Sequence, residues 1–114
     1  GPVEGGLGGW INTTLLLAPI TRGIAVKDFY WNKTARGWSP RWCGLGQGMV
    51  DFPQFLTMLK QAGFEGPIQL HMEYEELGAA HTGKSASTIP QDEFVRLCQR
   101  DLTNFRRFQR EAGF

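Results

Sequence analysis

Apolar positions recur with two different periods along the chain. Trp10, Ile11, Leu15 and Ala18 fall at roughly helical spacing, which predicts a helix over 10–18 stopped by Pro19. The run Ile24-Ala25-Val26-Lys27-Asp28-Phe29-Tyr30-Trp31 is short, β-branched and aromatic, so it predicts a strand. Residues 32–50 carry Gly37, Pro40, Gly44, Gly46 and Gly48 and predict a long loop. Loops of that length in compact domains are functional or disordered, and the tryptophans here argue against disorder. Asp51 has the chemistry of a helix N-cap, with Pro53 in the first turn. Phe52, Phe55, Leu56, Leu59 and Ala62 then make one apolar stripe, and Gly63 stands where a helix-ending glycine belongs. Gly66-Pro67 predicts a turn. From Ile68 to Tyr74 the pattern alternates, with Ile68, Leu70 and Met72 on one face and Gln69, His71 and Glu73 on the other. Residues 75–90 are polar and small and predict a second loop. The last helix is expected over 91–112, with Phe94, Leu97, Cys98, Leu102, Phe105 and Phe108 on its apolar face.

The order is therefore helix, strand, loop, helix, strand, loop, helix. This is an α/β arrangement of two strand–helix units, 24–64 and 67–114, and such units imply parallel strands. Two parallel strands cannot hide both faces and both edges of a sheet. The chain reads as one part of a larger α/β structure, completed by upstream sequence or by further copies of itself.

Composition narrows the function classes. With 114 residues there is room for a single core, and 41% hydrophobic against 20% charged residues permits one to pack. A net charge of +1 gives no overall field that would draw nucleic acid or an anionic membrane. Arg96, Arg100, Arg106, Arg107 and Arg110 read as the solvated face of the last helix. No apolar run is long enough to span a bilayer. Cys43 and Cys98 suit neither a disulfide framework nor a metal site, and the opening Gly1-Pro2-Val3-Glu4 is no signal peptide, so reduced thiols and a cytoplasmic location are expected. So glycine-rich an opening also suits the middle of a longer protein.

Three segments together carry a resemblance. They are Ile24 to Trp31, then Trp42-Cys43-Gly44-Leu45-Gly46-Gln47-Gly48-Met49-Val50-Asp51-Phe52, then Gly63 to Tyr74. In this order and spacing they resemble the sugar phosphate isomerase/epimerase family, the xylose isomerase-like (β/α)8 barrels that include endonuclease IV-type enzymes. The likeness covers nearly the whole chain from Val3, and corresponds to the last two strand–helix units of the barrel with the helix before them. It implies a partial (β/α)8 barrel, since a full one takes about 250 residues. It implies a divalent metal (manganese, magnesium or zinc) at the C-terminal mouth, held by two carboxylates, a histidine and a final glutamate. Glu73 matches that glutamate. The histidine position of the His-x-Lys-Asp motif is Ala25 here, and Gln47 replaces the glutamate of a Gly-Glu-Gly loop.

The candidate residues follow from that frame and from their own chemistry. Glu73 is the metal-ligand candidate, with His71 beside it to orient ligand or substrate; the alternative is a hydrogen-bonded pair or a strand face open to water. Lys27, on the Ala25 face, would steady a developing oxyanion or bind a phosphate oxygen; the alternative is a salt bridge to Glu73 or Asp28. Trp31, Arg36, Trp38, Arg41 and Trp42 mix indoles with cations, a set that suits a sugar or sugar phosphate, or simply a self-packed loop. The amides of Gly44 to Gly48 could cradle phosphate, or the glycines serve a tight turn. No role is assigned to His81. The expected chemistry is metal-assisted proton transfer next to a sugar carbonyl, needing the strands this chain lacks. The alternative is a non-catalytic module that assembles with itself or binds a sugar or protein. A DNA-repair barrel would need a basic groove and more histidines than His71 and His81.

Overall fold

The two strand–helix units do bring two strands together in parallel. In the computed structural model, which describes residues 9–82 and 88–114, β1 (Ile24–Val26) pairs with β4 (Ile68–Leu70) in the register Ile24↔Ile68, Ala25↔Gln69, Val26↔Leu70. Helix α2 (Phe52–Gln61) lies between them in sequence. Its start is fixed by the Asp51 side chain, which accepts from the Gln54 amide at 3.0 Å, and by a proline in its first turn. Gly63 follows its end with a φ of +77°, a left-handed conformation that glycine reaches without steric cost.

Phe52, Leu56 and Leu59 of α2 form the core with Val26, Leu45, Phe64 and, from α3 (Gln91–Glu111), Phe105 and Phe108. The Phe52 and Phe108 rings stack with centroids 5.6 Å apart. Ile24, Ile68 and Leu70 pack against this core, so it covers one face of the β1–β4 pair. Ala25 and Gln69, on the other face, are exposed.

Five expectations are corrected. The strand expected over 24–31 breaks at Lys27: β2 (Asp28–Thr34) leaves the parallel sheet and pairs antiparallel with β3 (Gly37–Cys43), inside the segment expected to be a long loop. Gly37 at φ +115° closes the hairpin, which has no other left-handed residue. The strand expected over 68–74 ends at Leu70, because its partner β1 has ended; only the His71 amide continues the pairing, donating to the Val26 carbonyl at 3.0 Å. The second expected loop coils into 3₁₀ turns over Glu75–Thr82, where Leu77 is fully buried against Tyr74 and Leu97. On α3, Leu102 is exposed and Asp101 is buried instead, because the fold supplies that carboxylate with donors.

Helix α1 (Gly9–Leu17) ends before Pro19 and a 3₁₀ turn, Ala18–Ile20, follows it, with the proline in its second position, where no intrahelical N–H is lost. Leu15, Leu16, Leu17 and Ile20 around it are all exposed.

Candidate functional site

Parallel pairing places the C-terminal ends of β1 and β4 side by side. Lys27 is the first residue past β1, and His71 the first past β4. Alternation puts Lys27, His71 and Glu73 on the open face, continuing the Ala25 and Gln69 positions. Their side chains meet. Lys27 Nζ donates to Glu73 Oε2 at 2.8 Å, and His71 Nε2 lies 2.7 Å from Glu73 Oε1. All three remain open to solvent in part. The Lys27 hydrogen bond, helped by the charges of Lys27 and His71 and opposed by burial, holds the Glu73 carboxyl below the usual carboxylate range. Glu73 is thus an ionised acceptor at neutral pH.

The sequence offered Lys27 two kinds of role, an oxyanion or phosphate contact, or a salt bridge to Glu73 or Asp28; it is Glu73 that it meets. Its Nζ also lies 5.3 Å from the Trp42 ring centroid. Beside this trio lies a mostly apolar cavity of about 330 Å³, walled by Trp10 of α1, Ala25, Phe29 and Trp42, with Lys27 and His71 reaching into it. Its volume is at the small-molecule end of the range for ligand sites.

The aromatic and cationic residues of 31–42 do not form one cluster. Hairpin register puts Phe29 opposite Trp42, Trp31 opposite Pro40 and Lys33 opposite Trp38, all on one face. Lys33 Nζ lies 5.3 Å from the Trp38 ring centroid. Arg36 is at the turn. Arg41 pairs with Tyr30 on the opposite face and lies 3.7 Å from Glu75, away from Trp31, Trp38 and Trp42.

Asp28 organises the site, and not as the salt-bridge partner of Lys27 that the sequence offered. Its carboxylate is buried and accepts four backbone amides: Gly46 and Gly48 at 2.9 Å on Oδ2, Phe29 at 2.9 Å and Val50 at 3.2 Å on Oδ1. Burial raises its pKa, and the four amides pull it back. The amides of Gly46 and Gly48, candidates for a phosphate cradle, are therefore spent on the chain's own carboxylate. The only sequence cue was an acid at the end of one strand followed by a glycine-rich segment.

A second network fixes the segment just past Glu73. The Tyr74 hydroxyl donates to the buried Asp101 Oδ2 at 2.5 Å; Arg100 Nε donates to Asp101 Oδ1 at 3.1 Å and its Nη1 to Glu76 Oε2 at 3.0 Å. Burial and the carboxylates of Asp28 and Asp101 push the Cys43 thiol up to about 12, so it is no nucleophile at neutral pH. The side chain of His81 lies outside the described residues.

These residues do not by themselves make the expected metal site. Among the described residues no three His, Cys, Asp or Glu side chains converge. Glu73 and His71 are two donors where a divalent ion takes three or more, and both Glu73 oxygens are engaged, one by an ammonium group.

No protein family and no curated protein matches the sequence. Among solved structures the chain is similar to a xylose isomerase-like TIM barrel protein from Mycobacterium smegmatis, determined in complex with magnesium. The TM-score is 0.57 at 10% identity, over 90% of this chain and 29% of that one. The chain thus spans 29% of that barrel's length and has the α/β fold of part of it. No helix among the described residues is long and apolar enough to cross a membrane.

Proposed function

We propose that this chain supplies part of the substrate-binding mouth of a sugar isomerase or epimerase built on a xylose isomerase-like barrel. One observation carries the reading: Lys27, His71 and Glu73 meet at the C-terminal ends of adjacent parallel strands, beside an aromatic-walled cavity. In barrels that end of the strands is where chemistry is done. The cavity suits a sugar or sugar phosphate, its apolar ring face toward Phe29 and Trp42.

Each residue has a role that its surroundings allow. Glu73, held ionised, accepts from sugar hydroxyls and is a poor proton carrier near neutral pH. Lys27 donates to the carbonyl oxygen and steadies charge that develops on it when the neighbouring carbon loses a proton. His71 keeps Glu73 in place. The proton carrier, and further donors for a divalent metal, belong to strands beyond these two.

The experiment is a sugar titration of the chain followed by tryptophan fluorescence, with a parallel incubation in D2O read by NMR. Saturable binding of aldoses or ketoses, weakened about tenfold or more by Lys27→Ala, is the expected result. Deuterium appearing at the carbon next to the carbonyl would extend the reading to catalysis by this chain. Absence of saturable binding to any sugar would overturn it.

A second reading has its own observation. The β1–β4 pair has one open face, and Leu15, Leu16, Leu17 and Ile20 are exposed together. A non-catalytic module that assembles with further copies of itself would cover both, and binding without deuterium exchange in an oligomer favours it.

A further inference from the structure

We propose that the ligand of this mouth is an anionic linear oligosaccharide laid along the β2–β3 hairpin, with its terminal sugar in the cavity that Lys27 and His71 line. The inference rests on the sugar reading above and deepens it by naming the ligand's length and charge.

The hairpin face that meets the cavity is continuous. Each of its cross-strand pairs holds an aromatic: Phe29 with Trp42, Trp31 with Pro40, Lys33 with Trp38. Phe29 and Trp42 already wall the cavity, and the Phe29 and Trp31 rings touch edge to face with centroids 6.3 Å apart. Along the row Phe29 is buried, Trp31 is half-buried, and Trp42 at 38% and Trp38 at 65% are exposed. Successive pairs on one face lie about 6.8 Å apart, so the row from Phe29 to Lys33 is about 14 Å long, more than one pyranose ring covers. At the tip Lys33 Nζ lies 5.3 Å from the Trp38 ring centroid, and the indole stays exposed. The indole N–H of Trp31 is buried without an acceptor among the described residues.

Charge supplies the second half of the argument. Residues 29–43 carry Lys33, Arg36 and Arg41 and no Asp or Glu, in a chain whose net charge is +1. Arg41 faces the other way and is engaged by Glu75. Lys33 and Arg36, at the outer end of the aromatic row, have no carboxylate within ion-pair distance among the described residues. Aromatic platforms that end in cations take sugars carrying carboxylate or phosphate groups.

The test is a tryptophan-fluorescence titration at low salt with five probes: galacturonate, trigalacturonate, the fully methyl-esterified trimer, maltotriose and terminally phosphorylated maltotriose. At least one anionic trimer should bind tenfold or more tightly than both its neutral counterpart and galacturonate. Which anionic trimer gains tells carboxylate from phosphate. The double variant Lys33→Ala, Arg36→Ala should abolish the charge preference, and Trp38→Ala the length preference; all three positions are exposed, and circular dichroism checks that the variants fold. Equal affinity for anionic and neutral trimers, or for trimer and monomer, overturns the proposal. Binding of single sugars that Lys27→Ala weakens, without any gain for trimers, leaves the sugar reading standing alone; no binding of any probe removes both.

Discussion

Replacing Asp28 by Asn is nearly isosteric, yet it should be among the costly single changes in this chain. The carboxylate accepts four amides with two oxygens: Phe29 and Val50 on Oδ1, Gly46 and Gly48 on Oδ2. An asparagine can serve two of them through its carbonyl and must turn an NH2 toward the other two. Two donors then face a donor in a buried site, and each orphaned group costs about 1–3 kcal/mol. The charge itself is unfavourable there, since burial raises the Asp28 pKa, and removing it returns part of that loss. The net expectation is about 3 kcal/mol, from the orphaned amides less the relieved desolvation. That is a large share of the roughly 5–15 kcal/mol by which a domain of this kind is stable. Urea unfolding followed by tryptophan fluorescence measures it as a lower midpoint at unchanged slope. A midpoint shift equivalent to under about 0.5 kcal/mol would refute the claim that Asp28 holds the glycine segment.

Other perturbations separate the roles further. Gly48→Ala brings a Cβ into the Asp28 carboxylate and the Phe29 carbonyl, one of them backbone that cannot yield, so calorimetry should show a loss of about 1–3 kcal/mol. Tyr74→Phe leaves the buried Asp101 one donor short and should cost about 1–3 kcal/mol in the same assay, without altering the affinity of sugars that do not reach α3. The Glu73 carboxyl titrates below its ordinary range, so its share of stability is present above its unfolded pKa and is lost as pH falls through the depressed folded one. An NMR pH titration of Lys27→Ala should show that pKa returning upward, and an unchanged value would show that Lys27 is not its cause. Leu56→Ala, at a fully buried α2 position, should cost about 2–5 kcal/mol in urea unfolding, the ordinary loss for a core leucine.

What the sequence made legible was local. Helix α2 has its cap at Asp51, its stripe from Phe52 to Ala62 and its stop at Gly63 within one stretch, and all three are where the pattern placed them. The trio of Lys27, His71 and Glu73 was legible because strand alternation alone assigns residues to one face. The hairpin was obscured by Gly37 and Pro40, which read as loop signals. Its period-two cue was nonetheless present, as Phe29, Trp31 and Lys33 before the turn and Trp38, Pro40 and Trp42 after it. Asp28 was illegible for a different reason: the amides of Gly46, Gly48 and Val50 lie 18 to 22 residues away, and only the fold brings them to it. Asp101 interrupts the α3 stripe, and a buried acid is tolerable only where partners such as Tyr74 and Arg100 arrive from elsewhere.

The first strand breaks at Lys27, and Lys27 and Asp28 have separate sets of partners. Neighbouring residues of an extended chain point to opposite sides. Lys27 turns to the open face, where it meets Glu73 and Trp42; Asp28 turns inward, where it gathers the amides of the glycine segment. An uninterrupted strand through Trp31 would carry Phe29 and Trp31 onward beside β4. Breaking at Lys27 swings them into a hairpin, with the Met49 amide donating to the Phe29 carbonyl at 2.7 Å and covering the edge of β2. The burial of Asp28 and the placement of the hairpin above the cavity are thus one structural event. A variant that frees the glycine segment should therefore loosen the aromatic wall of the cavity as well as the fold. Loss of stability and loss of sugar affinity in Asp28→Asn should appear together, whereas in Lys27→Ala affinity falls with little change in stability.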